Sequence, residues 1–174
     1  MPTDALMYPV GPWVDPGPMD AAVRAAALDA LRELPGQLRM AVDSLTEAQL
    51  EMPYRPGGWT IRQVVHHLPD SHMNAYVRMK LALTEPLPAV RSYEEQHWAE
   101  LPDGRSAPIG VSLDLLEALH RRWVLSLERL PEDAFARGFV HPVRGVVRVD
   151  AAMSMYAWHG RHHLAHIAQA VGGR

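Results

Sequence analysis

The sequence predicts an all-α fold, a four-helix bundle formed by one domain over residues 1–174. Three observations predict it. Four long segments carry apolar residues at helical spacing. Proline and glycine, 15 and 12 in number, gather mostly between those segments. No repeat or compositional break divides the chain, and 174 residues suit a single core.

Each element follows from local signals. Residues 1–19 contain Pro9, Gly11, Pro12, Pro16, Gly17 and Pro18, so they read as an extended arm rather than a helix. Tyr8, Val10 and Trp13 suggest that the arm lies on the bundle or on a partner subunit. Residues 20–44 read as the first long helix, capped by Asp20 and interrupted by a kink or short break at Pro35-Gly36. Thr46 and Gln49 form a capping-box pattern for one short turn, and 53–58 is a loop. Residues 60–84 read as the second long helix, with Thr60 and Gln63 as another capping box and a bend at Pro69. The long connection 86–111 should hold a short helix around Tyr93 to Leu101 and either cross the bundle or join a dimer contact. Residues 113–130 read as the third helix with Ser112 as its N-cap. Residues 139–149 alternate as a small hairpin would. Asp150 should cap the fourth helix, which ends at Gly172-Gly173.

Composition narrows the function. The net charge is −3 with no long basic run, which argues against nucleic acid and anionic membrane surfaces. No stretch approaches the length of a membrane span and the N-terminus lacks a signal-peptide pattern, so a cytoplasmic location is expected. With no cysteine, disulfides, thiolate ligands and a cysteine nucleophile are excluded.

The chemistry concentrates in the fourth helix. His159, His162, His163 and His166 fall within eight residues. Ala152, Tyr156, His159, His163, His166 and Ala170 form one stripe of that helix, so histidines occupy the middle of an apolar seam. Several imidazoles on a buried face need partners for two ring nitrogens each, and a metal satisfies one nitrogen per ring. His159 and His163, four apart, make half of such a site. The rest must come from elsewhere, and the second helix offers His66, His67 and His72. Seam spacing alone points to His72 and leaves His67 on its flank. His66 points away from the seam and should be exposed. His162 suits a supporting role or a surface one, and His97, His120 and His141 read as ordinary structural histidines.

Several strings are more specific than spacing. They are Gly57-Gly58-Trp59-Thr60, Arg62-Gln63-Val64-Val65-His66-His67-Leu68, Asp70-Ser71-His72-Met73-Asn74, and Trp158-His159 with His162-His163 and Ala165-His166-Ile167. Through them nearly the whole chain resembles the DinB/YfiT superfamily of metal-binding four-helix bundles, and its YfiT branch most closely. The resemblance implies a three-histidine site for one divalent metal, Zn2+ first and Ni2+ second, with His67, His159 and His163 as ligands. It also implies a homodimer and metal-dependent hydrolysis of a small-molecule substrate. A runner-up is S-transfer from a low-molecular-weight thiol, and a non-catalytic metal-binding stress protein is the alternative of another class. Pro69 departs from the alanine expected there. His72, His166, Gln63 and Asp70 are expected to support the ligands or face substrate, Gln63 by orienting the His67 ring. Three neutral imidazoles leave a position open for activated water, as catalytic rather than closed structural sites do. No carboxylate is placed as a general base.

Overall fold

The computed structural model describes residues 3–172 and shows a four-helix bundle. Its long helices are α2 (Ala21–Val42), α4 (Ile61–Thr84), α7 (Ile109–Leu127) and α8 (Val149–Gly172). Shorter helices are α1 (Thr3–Met7), α3 (Glu47–Leu50), α5 (Glu95–Ala99) and α6 (Pro102–Arg105), and a 3-10 turn covers Glu132–Ala136. Strands β1 (Gly138–His141) and β2 (Gly145–Arg148) pair antiparallel, with Phe139 opposite Val147. α2 packs against α7 and α8, and α4 packs against the same two. The order around the bundle is therefore α2, α7, α4, α8. The first two long helices sit on a diagonal, and the 86–111 connection runs back along α4 through α5 and α6 to reach neighbouring α7.

Capping fixes the entries to α2, α3 and α4. The Asp20 carboxylate accepts from Val23 N at 2.8 Å. Thr46 with Gln49, and Thr60 with Gln63, form complete capping boxes; each such cap contributes about 1 kcal/mol. Two expected caps are not caps. α7 starts at Ile109, directly after Pro108, so Ser112 lies inside it and its hydroxyl meets His66 instead. β2 runs straight into α8 at Val149, leaving no loop for a cap. Asp150 therefore sits in the first turn. Its fully buried carboxylate accepts from Met19 N at 3.2 Å, from Ala151 N at 2.8 Å and from Arg148 at 2.7 and 2.9 Å.

The N-terminal arm also differs from expectation. Thr3–Met7 is a helical turn, and only the segment beyond it is extended. That segment lies on α8: Trp158 Nε1 donates to Gly11 O at 3.0 Å and Trp13 Nε1 to Ser154 Oγ at 3.4 Å. Within 86–111 the expected short helix is Glu95–Ala99, followed by a second turn, Pro102–Arg105, that spacing did not indicate.

α2 continues through Pro35-Gly36 without the expected break. A proline lacks the N–H that would bond the carbonyl four residues earlier, here that of Leu31. That carbonyl finds another donor, His120 Nδ1.

The core is two apolar clusters. One holds Leu31, Ala75, Met79, Trp123, Met153 and Tyr156; the other holds Leu34, Leu38, Leu68, Leu116 and Ile167. Between Leu68 and Ala75 on α4 lies His72, and between Leu116 and Trp123 on α7 lies His120; both are at most 1% exposed. A layer of imidazoles thus divides the core, and the candidate site grows from it.

Candidate metal centre

Neighbouring helices α4 and α8 bring His67, His159 and His163 together. His159 Nε2 lies 3.3 Å from His67 Nε2 and 3.1 Å from His163 Nε2. Tetrahedral ligands about 2.0–2.1 Å from zinc would stand roughly 3.3 Å apart. All three ring nitrogens fall within the compass of one ion.

Burial keeps these rings neutral. It pushes His67 down to about 3, helped by neighbouring His162. It holds His159 and His163 well below the usual imidazole value, with adjacent histidines adding to the effect. His72 is held well below by burial and by His120, and His120 itself is lowered to about 4 by burial against the opposing pull of the Leu31 carbonyl.

For neutral rings, hydrogen bonding to a carbonyl fixes which nitrogen bears the proton. The Leu31 carbonyl can only accept, so His120 Nδ1 donates to it and His120 Nε2 is bare. His72 Nδ1 must then donate to His120 Nε2 at 2.9 Å. His159 Nδ1 in turn donates to His72 Nε2 at 3.1 Å. This leaves His159 Nε2 as a lone pair facing the other rings. The relay runs His159 on α8, His72 on α4, His120 on α7 and Leu31 on α2, through all four long helices.

A second, shorter relay fixes His163. His166 Nε2 donates to Met7 O at 3.1 Å, so its Nδ1 accepts from His163 Nδ1 at 3.3 Å. His163 Nε2 is therefore bare as well. Two lone pairs about 3 Å apart repel unless a proton or cation lies between them, and the two carbonyl-terminated relays take up the protons elsewhere. Trp59 packs on the His67 ring at 4.6 Å, Tyr54 stacks on His166 at 3.9 Å and Trp158 on His162 at 4.5 Å.

His162, His163 and His166 form another trio able to hold an ion. It shares His163 with the first trio, and His163 Nδ1 and His166 Nδ1 are already bonded to each other. The His67 trio has no such bond between Nδ1 atoms, and its rings also border a cavity of about 870 Å³ between the bundle, the arm and the hairpin.

The other sequence candidates divide. His72 and His166 contact the trio. His72 is completely buried in the relay rather than facing substrate, whereas His166 lines the cavity. The seam rule was sound for His72, because the seam centre faces the core, while the cavity lies on the flank where His67 sits. Gln63 does not orient His67: its amide oxygen accepts from Thr60 N, and its nitrogen donates to Ala99 O and Glu100. Asp70, raised to about 6 by burial and then by Asp103, makes no contact with the trio among the described residues. His66 is buried rather than exposed, its Nε2 donating to Ala107 O at 3.1 Å and its Nδ1 accepting from Ser112 Oγ at 2.7 Å. His162 is buried with Nδ1 unpartnered. His120, read from the sequence as an ordinary structural histidine, is instead the link that ties His72 to the Leu31 carbonyl freed by Pro35.

Residues 30–167 match the DinB superfamily. "Putative metal-dependent hydrolase YfiT" of Bacillus subtilis is 45% identical over 165 residues, 94% of this chain and 93% of that protein. A "Putative metal-dependent hydrolase" of Bacillus cereus is 48% identical over 162 residues, 93% of each chain. The solved structure of Bacillus subtilis YfiT, described as a probable metal-dependent hydrolase with an unusual four-helix bundle topology, superposes with a TM-score of 0.95 at 44% identity, covering 97% of both chains.

Proposed function

The chain belongs to the DinB superfamily, and on that premise we propose that it is a metal-dependent hydrolase whose ion is held by His67, His159 and His163. The observation that carries this reading is the convergence of three Nε2 atoms, two of them left bare by relays ending on backbone carbonyls. Zn2+ suits the donor set best: three neutral imidazoles, no sulfur and near-tetrahedral spacing. A divalent cation held by these three rings would supply Lewis-acid chemistry, polarising a substrate carbonyl and lowering the pKa of a bound water toward neutrality. The donor set supplies only three protein ligands, and all three rings line the cavity from which substrate would enter.

The protein's own groups do the rest. The His72–His120 and His166 relays hold His159 and His163 in the ligand tautomer and keep their rings from turning. Trp59 packs on His67, and Trp158, Tyr54 and Tyr8 wall the cavity beside the histidines. The test is hydrolysis of simple esters and amides by zinc-loaded protein, beside protein stripped with a chelator and His67→Ala. The reading expects turnover only in the loaded wild type and its recovery on adding zinc back. Equal rates in stripped and loaded protein would overturn it.

A further inference from the structure

The chain is acidic overall, with a net charge of −3, yet its cavity is basic. Arg55, Arg78 and Arg144 line it, against one carboxylate, Glu95. Arg78 is the telling member. It sits on α4 and is only 9% exposed. Its NH2 group donates to Arg91 O at 2.7 Å, and among the described residues no carboxylate lies within ion-pair distance of it. The other buried arginines are paired, Arg24 with Glu132 and Arg62 with Glu47 and Glu51.

A guanidinium cannot shed its proton, and a buried one without a counter-ion is costly. The Arg91 carbonyl and the Tyr156 hydroxyl take up two of its five donors, and neither carries a negative charge. His141 and Arg144, from the hairpin, share this end of the cavity, and the field of Arg78 and Arg144 reaches both His141 and the Tyr156 hydroxyl. Among the described residues neither Arg78 nor Arg144 has an ion-pair partner. The fork geometry of a single buried arginine matches a carboxylate, two oxygens to two N–H groups.

We propose that Arg78, with Arg144 lining the same cavity, binds a carboxylate of the substrate, so that the substrates of this site are small carboxylic acids bearing a hydrolysable ester or amide. Where the reaction occurs rests on the metal-centre reading; that an anion binds here does not. Tyr156 gives the spacing. Its ring lies 5.7 Å from that of His159 and 5.0 Å from that of His72, and its hydroxyl reaches Arg78 and Ser71. The carboxylate therefore sits one tyrosine ring beyond the ligand histidines, and the reacting carbonyl lies a few bonds from it.

The experiment has two arms. In the first, succinate and its neutral diamide are added to metal-free wild type and to Arg78→Met, and thermal unfolding is followed. Succinate should raise the midpoint of the wild type, the diamide should not, and Arg78→Met should lose the shift. In the second, zinc-loaded wild type hydrolyses 4-nitrophenyl acetate and mono-4-nitrophenyl succinate. A charged hydrogen-bonded pair favours the anionic ester by roughly 10- to 100-fold in kcat/KM, and that ratio should collapse in Arg78→Met. Succinate protection without turnover of either ester would sustain the anion site and sink the hydrolase reading. Turnover of both esters at equal efficiency, with no succinate shift in the wild type, would overturn the carboxylate proposal alone. The wild-type measurements decide this even if Arg78→Met fails to fold.

Discussion

Replacing His72 by leucine tests the relay, because leucine nearly matches the imidazole in volume and removes only its nitrogens. His72 is fully buried and makes two bonds, from His159 Nδ1 at 3.1 Å and to His120 Nε2 at 2.9 Å. Both partners become orphans in the core. At about 1–3 kcal/mol for each unsatisfied buried group, the two orphans should lower folding stability by on the order of 2–6 kcal/mol. The effect on metal is separate. His159 loses the acceptor that keeps its proton on Nδ1, so the tautomer with a bare Nε2 is no longer enforced. Outer partners of this kind are worth about 10- to 100-fold in metal affinity, or about 1.4–2.7 kcal/mol. Urea unfolding reads the first number, and competition with a chromophoric chelator reads the second. His120→Leu is the graded control: His159 keeps its acceptor, so stability should fall comparably while affinity falls less. A His72→Leu protein that binds zinc within about twofold of wild type would refute the tautomer argument.

Three other outcomes follow from the same structure. Pro35→Ala returns an N–H to the Leu31 carbonyl. Removing a proline from a helix interior ordinarily gains about 3 kcal/mol; here the gain should be smaller and zinc affinity should drop, because His120 then shares its acceptor. A full gain with unchanged affinity would contradict the role given to that carbonyl. The metal-free protein should also be acid-sensitive. His67, His72, His120, His159, His162 and His163 all have folded values lowered by burial. Between their lowered values and about 6.5 the unfolded chain holds more protons than the folded one. Stability present above that range is therefore lost as pH falls, by about 1.4 kcal/mol per unit for each group. Calorimetry in buffers of different ionisation heat should show several protons taken up on unfolding at pH 5, and a flat stability profile between pH 7 and 5 would count against neutral buried rings. Finally, a Cβ on Gly160 would come within 2.7 Å of buried Leu34, whereas one on Gly36 meets nothing within 4 Å. Gly36→Ala should gain about 1 kcal/mol of helix propensity, and Gly160→Ala should forfeit that gain to overpacking of about 1–3 kcal/mol. Thermal midpoints that move together would contradict the close packing of α8 on α2.

Much of this architecture was legible in the sequence, because the signals that set it are local. Thr46 and Thr60 each announced a helix start through a glutamine three residues on, and the structure contains both boxes. The seam spacing of α8 placed His159 and His163 side by side. What was not legible depends on contacts between distant segments. Ser112 looks like a cap, yet helix α7 begins before it and its hydroxyl is taken by His66. Pro35 looks like a helix breaker, yet α2 runs on through it and the freed carbonyl is taken by a histidine of another helix. The same holds for His66, whose outward projection on α4 meets the 106–112 segment rather than water. Arg78 gave no signal, since only the folded cavity shows that no acid accompanies it.

The proposed site requires that three imidazoles hold one catalytic ion. Plasma mass spectrometry of purified protein, wild type beside His163→Ala, tests it most directly. The account predicts close to one zinc per chain in the wild type after reconstitution and little in the variant, with both folded by circular dichroism. A wild type that takes up no divalent metal, or a His163→Ala protein that keeps a full equivalent, would contradict it.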